Sequence, residues 1–218
     1  MEKNNVIAIV PARAGSKRLP GKNLLRIGGI PLWKIAVRQA LAAGIPKVVV
    51  TTNIQAILDL PHPPGVVYLR RPARLCGDRS RVEDAVLHVL ERFPAEKAVV
   101  LNPTHPFRNI ELIRLASTVI CNDIPTAVAV FMDYHYTARE GCRLKSLNQA
   151  ERSAKHLISG SIYAFLSRYL KRYNRMFSSN PMCILDPLSW VDIDTPMDYY
   201  IARCIYKKLG DHKQLYGF

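Results

Sequence analysis

Four cations stand within ten residues of one segment: Arg13, Lys17, Arg18 and Lys22, in "VIAIVPARAGSKRLPGKN" (residues 6–23). Charges at that density neutralise a polyanion. Backbone amides near Ala14 and Gly15, with the side chains of Ser16 and Asn23, add neutral donors. The set suits a triphosphate. A solvated basic loop would show the same residues, so spacing alone leaves both readings open. Two familiar phosphate loops are excluded. Gly15 and Gly21 enclose five residues rather than four, Asn23 falls where a Walker A loop has its Ser or Thr, and GxGxxG is absent.

A second chemistry is suggested by Asp192 and Asp194 in "VDID". In an extended segment they share a face, and paired carboxylates suit a hard cation that also takes phosphate oxygens. Asp194 also adjoins a helix start, where any carboxylate is favoured, so an acidic cap explains it equally. His62, His88, His135 and His156 form no constellation that assigns a base, and His105 reads as an exposed loop residue.

These groups need a frame, and the chain alternates accordingly. "VIAIV" (6–10), "KVVVTT" (47–52), "VVYLRRP" (66–72) and "KAVVL" (97–101) read as buried strands. Helical spacing falls between them. Leu32, Ile35, Ala36 and Ala40 make one stripe, with Pro31 in the first turn and Gly44 just past the end. Val82, Ala85, Val86, Val89, Leu90 and Phe93 make another, opened by Ser80 and Glu83 as a capping box. Helix 110–121 and strands 126–131, 158–165 and 181–186 follow. Thr195 and Pro196 then start a last helix, to about Leu209. Alternating strands and helices predict a parallel sheet covered on both faces, with ligands beyond the carboxyl ends of the strands. The basic loop sits at such an end. Residues 133–158 lose periodicity and read as an excursion from the sheet.

Length and composition fit one soluble domain: 218 residues, 49% hydrophobic and 22% charged. No apolar run approaches the ~20 residues of a membrane span, and the short apolar run after "MEKNN" does not suit a signal peptide. A cytoplasmic location is the expectation. Five scattered cysteines predict reduced thiols. The net charge of +14 raises the question of nucleic acid. The cations are dispersed, however, and no aromatic-rich basic strand accompanies them.

"IVPARAGSKRLPGKNLLRIGGIPL" resembles the N-terminal signature of the acylneuraminate cytidylyltransferases, the CMP-sialic acid synthetase family, with a shorter version in relatives that activate Kdo. "KVVVTTN" is similar to the family's second strand and "LNPTHPFR" to its QPTSPLR segment. "SGSIYAF" resembles NGAIY, and "VDIDTPMDYYIA" the C-terminal acidic motif. The five matches lie in family order from residue 6 to about 203.

The resemblance implies a three-layer, Rossmann-like α/β nucleotidyltransferase fold, a single domain over 1–218 with 133–158 used for dimerisation and acceptor binding. It implies transfer of CMP from CTP to the anomeric hydroxyl of a nine-carbon 2-keto sugar acid, with Mg2+ as cofactor and a homodimer as assembly. By the same resemblance Arg13, Ala14, Gly15, Ser16, Lys22, Asn23, Arg79 and Ser80 contact the nucleotide, Arg13 and Lys22 being catalytic through charge stabilisation. Asn102, Thr104, Arg108 and Tyr163 face the acceptor, and Asp192 and Asp194 hold the metal. Tyr163 and Ser80 keep their plainer readings, as core and as cap. Asn53 and Asn102 stand where the family carries aspartate and glutamine, which leaves open an unusual acceptor or a lapsed nucleotide-binding relative.

Overall fold

The computed structural model describes residues 5–133 and 155–218. In chain order the elements are β1 (Val6–Ala12), β2 (Arg26–Ile27), β3 (Ile30–Pro31), α1 (Leu32–Ala42), β4 (Lys47–Thr52), α2 (Gln55–Leu58), β5 (Val66–Arg70), α3 (Val82–Arg92) and β6 (Lys97–Leu101). There follow α4 (Ile110–Val119), β7 (Thr126–Asp133), β8 (Lys155–Leu166), α5 (Ser167–Tyr173), β9 (Met182–Leu185) and α6 (Pro196–Lys208).

β-Branched runs with little polar alternation make strands that can be buried on both faces, and β1, β4 and β6 have that composition. They join a seven-stranded sheet in the order β5-β4-β1-β6-β8-β7-β9. β8 alone runs against the rest, antiparallel to both β6 and β7. The two faces are covered separately. Ala36, Val37 and Ala40 of α1 with Ile113 and Ala116 of α4 pack on Ala8, Val10 and Val99. Val86, Val89 and Leu90 of α3 with Leu170 of α5 pack on Ile7 and Ile9. This is the expected three-layer fold.

Strand order reverses at β1, which pairs with β4 on one side and β6 on the other. Chains leaving neighbouring strands diverge there and open a crevice at the carboxyl edge. The basic loop leaves β1 into that crevice. A third cluster, including Ile27, Leu32, Phe107, Val191, Ile193 and Ala202, fastens the β2–β3 hairpin and α6 against the same edge. The hairpin turns on Gly28 and Gly29, both at positive φ. A Cβ on Gly28 would also come within 2.3 Å of the Tyr206 ring, so the residue must be glycine twice over.

Two local expectations change. Ser80 does not cap α3; its hydroxyl donates to Arg74 O at 3.1 Å, and Arg81 is the cap residue without a side-chain bond. The turn at Ala73–Leu75 presents a nearer acceptor, and Glu83 and Asp84 still favour the helix through its dipole. At the edges of the expected 133–158 excursion, Asp133 and Lys155–Ile158 instead belong to strands: Val130–Asp133 pair with Lys155–Ile158, beyond the last β6–β8 pair. The remainder of the 133–158 segment lies outside the described residues.

At α6 the expectation holds: Thr195 accepts from Asp198 N, Asp198 bonds back to Thr195 N, and Pro196 opens the first turn. Thr195→Ala is expected to lower the unfolding free energy by about 1 kcal/mol with an unchanged denaturant slope, measured by urea denaturation.

Candidate functional site

The basic loop is held from below. Asn53, at the end of β4, accepts from Ala14 N through Oδ1 at 2.8 Å. Asn23 is buried, and its Nδ2 donates to Arg13 O at 2.8 Å. Asn23 was expected to touch nucleotide; the structure instead spends its amide on the loop's own backbone. Ser16 N bonds back to Ala14 O, which tightens the turn through Gly15.

Pinned in this way, the loop forms an open cavity of about 160 Å3, lined by Arg13, Gly15, Ser16, Lys17, Arg18, Leu19, Lys22, Asp78 and Asp194. Asp194 comes from the far end of the chain. Its Oδ1 lies 2.5 Å from Lys22 Nζ and its Oδ2 2.5 Å from Arg18 Nη2. Lys17 pairs with Asp78 at 2.6 Å, and Arg13 donates to Gly77 O at 2.8 Å. The cavity thus gathers four cations against two carboxylates and retains an excess of positive charge.

Arg79 and Ser80 do not line the cavity. Arg79 is exposed on a turn, and Ser80 is engaged by Arg74. Their neighbours Gly77 and Asp78 are the participants. The signal was an acid beside a glycine, within reach of a basic loop.

The second half of the site follows β6. Asn102 donates from Nδ2 to Gly160 O at 2.8 Å, and Thr104 O accepts from Ile193 N at 2.9 Å. That bond places "VDID" beside the β6 loop, with Val191 and Ile193 buried and Asp192 and Asp194 turned outward. Gly160 has φ +81°, and a Cβ there would meet Tyr163 Oη at 3.3 Å and His105 Nε2 at 3.5 Å. Tyr163 stacks on Phe177 with 5.9 Å between centroids, and burial raises its phenol pKa. Its ring therefore belongs to the core and its hydroxyl to the site edge.

Two residues are corrected. His105 is buried, not exposed: Nδ1 lies 3.1 Å from Ser189 O and Nε2 lies 3.6 Å from Asp192 Oδ1. Burial is the main force lowering its pKa to about 4, against the pull of Asp192. Arg108 cannot be an acceptor contact, because it is 0% exposed. Its Nε donates to Gln39 Oε1 at 2.9 Å, and Nη1 to Asn102 O at 2.6 Å and Ser161 O at 3.1 Å. It is a strut beneath the Asn102 loop. Desolvation lowers its pKa to about 9 and raises that of nearby Asp186 to about 6.

Among the described residues no three His, Cys, Asp or Glu side chains converge as a metal cluster. Asp194 lines the cavity, and Asp192, two residues before it, is a second hard oxygen donor on the same outward face. That is the sparse donor set of a cation completed by substrate phosphates.

The fold and this cradle define a nucleotidyltransferase. Residues 7–177 match the family model described as cytidylyltransferase, and the chain belongs to that family. A CMP-N,N'-diacetyllegionaminic acid synthase of Legionella pneumophila is 30% identical over 91% of this chain and 94% of its own length. The N-acylneuraminate cytidylyltransferase of Escherichia coli O18:K1:H7 is 27% identical over 97% of this chain, which spans 54% of that protein. A CMP:2-keto-3-deoxy-manno-octonic acid synthetase solved with CTP shares the fold, with TM-score 0.67 at 20% identity over 93% of this chain and 98% of that one. No described helix is long and apolar enough to cross a membrane.

Arg108→Ala is expected to lower stability by about 3–5 kcal/mol, because it leaves Asn102 O, Ser161 O and Gln39 Oε1 without their buried donor; a melting series reads this as a folding defect, not a raised KM. For Asp186, a raised folded pKa means that the native state binds the proton more tightly than the unfolded chain. Relative to Asp186→Asn, the stability of the native protein should fall as pH rises from about 4 to about 6 and stay level above that, measured by urea denaturation across pH.

Proposed function

We propose that the protein transfers CMP from CTP to the anomeric hydroxyl of a nine-carbon 2-keto sugar acid and releases pyrophosphate. The observation that carries the reading is the loop cavity itself, four cations and pinned backbone at the switch point of the sheet. The relatives reported above supply the acceptor class.

In this reaction the anomeric oxygen forms a bond to the α-phosphorus, and the bond from that phosphorus to the bridging oxygen of pyrophosphate breaks. The hydroxyl gives up its proton. Negative charge grows on the departing pyrophosphate, and groups fixed in advance stabilise it most effectively. In this reading Lys22 and Arg13 do that work, and their contacts with Asp194 and the Gly77 carbonyl support it. Lys17 and Arg18 draw the anion in. The amide of Gly15 offers a donor to phosphate oxygens, those of Ala14 and Ser16 being engaged within the loop and by Asn53. Asn102, Thr104 and Tyr163 border the acceptor side, where Gly160 lets the Asn102, His105 and Tyr163 side chains approach its backbone closely.

Asp192 and Asp194 would hold Mg2+, which supplies positive charge and orientation at the phosphates when bound. The reading includes a homodimer packed through the side that carries β9 and the start of β8, supported by the exposed Leu157, Ile158, Met182 and Leu185.

Pyrophosphate release from CTP and Mg2+ is the test, with N-acetylneuraminate, legionaminate-type and pseudaminate-type acids and Kdo as acceptors. One nine-carbon acid is expected to support turnover. Lys22→Ala should lower kcat by about 10²–10³, and Asp194→Asn should also impair it. Turnover with Kdo alone, or CTP that fails to bind, overturns the reading.

A further inference from the structure

His105 is the group at this site that the proposed chemistry leaves unused. Its imidazole is 3% exposed, yet its Nε2 lies at the border between the acceptor side and the acidic segment. Nδ1 faces Ser189 O at 3.1 Å. A carbonyl oxygen only accepts, so that contact places a hydrogen on Nδ1 and turns Nε2 toward Asp192. A backbone carbonyl behind one ring nitrogen is the usual support of a histidine that binds metal through the other.

The gap on the far side is the second observation. Nε2 and Asp192 Oδ1 are 3.6 Å apart, beyond hydrogen-bond reach, and Asp192 makes no closer side-chain contact among the described residues. Two ligands about 2.1 Å from one ion and about 90–120° apart are separated by about 3.0–3.6 Å. Asp194, in contrast, has each carboxylate oxygen 2.5 Å from a cation. Asp192 has no cation so close among the described residues, so its carboxylate has room for an ion beside His105.

We propose that His105 Nε2 and Asp192 together ligate the divalent cation of this site, giving it one nitrogen ligand where two carboxylates alone would give only oxygen. This rests on the nucleotide reading above for the remaining ligands, which are phosphate oxygens and water. Asp194 stays the second carboxylate of the site while also holding Lys22 and Arg18. An imidazole ligand favours later transition ions relative to Mg2+, which prefers oxygen throughout.

The test is pulsed electron paramagnetic resonance of Mn2+ with CTP and the full chain, protein in excess over the ion. The readouts are phosphorus coupling from CTP and nitrogen coupling from the protein. Wild type is expected to show both, and labelling histidine with 15N should replace the 14N modulation by that of 15N. His105→Ser should keep the phosphorus coupling, lose the nitrogen signal and weaken Co2+ binding by about tenfold or more, with Mg2+ binding changed far less. If that variant fails to fold, the labelled wild type decides alone.

Phosphorus coupling in protein-bound Mn2+ without histidine nitrogen overturns the proposal and leaves the nucleotide reading intact. Histidine nitrogen without phosphorus supports the cation site but counts against nucleotide at it. Absence of both overturns the two together.

Discussion

A guanidinium without water around it must give its hydrogens to protein, and the carboxyl edge of this sheet is arranged around one that does. Arg108 joins Asn102 O at the end of β6, Ser161 O in β8 and the Gln39 side chain in α1. Gln39 extends the connection, donating to Pro106 O at 2.7 Å and to Tyr216 O at 2.8 Å. Two strands, a helix and the Gly210–Phe218 segment are fixed to one charge. Burying it costs several kcal/mol before its bonds offset the loss. One of its nitrogens, Nη2, and Asp186 Oδ2 stay without a hydrogen bond among the described residues. What the arrangement secures is position: Asn102, Thr104 and His105 all ride on the loop that Arg108 holds.

The second fixed point is Asp194. The residues before and after it are both tied down, Ile193 by Thr104 O and Thr195 by the capping box of α6. The carboxylate is therefore delivered to Lys22 and Arg18 by backbone constraint on both sides. Loop cations would otherwise repel one another. With Asp194 among them they converge on a single cavity, so the acid reduces the charge of the cradle while giving it a shape.

Much of this was legible in the residues. β4 falls on the expected residues, α1 and α6 end within a residue or so of expectation, and Thr195 caps α6 as its type and its place before Pro196 led one to expect. The misreadings share a cause. Ser80, Asn23, Arg108 and His105 are polar residues in loops, and a loop residue reads as exposed and available. Whether it is depends on what arrives from elsewhere in the chain: Arg74 O for Ser80, Arg13 O for Asn23, Gln39 for Arg108, Ser189 O for His105. Periodicity carries no information about side-chain partners, which here lie from 6 to 84 residues away. Asp78 was missed for the same reason, since its partner Lys17 lies on another loop.

Asn53 has a role beyond pinning Ala14. The position needs only an oxygen that accepts one hydrogen bond, and an amide provides it without a formal charge. A carboxylate would bond equally well while subtracting one unit from an excess of only two. The electric field reaching out from the mouth is correspondingly stronger, and it acts on nucleotides still diffusing in solution. Its range is set by counter-ions, about 8 Å at physiological ionic strength. A neutral side chain on the floor of the crevice thus raises the rate of anion capture and makes that rate sensitive to salt.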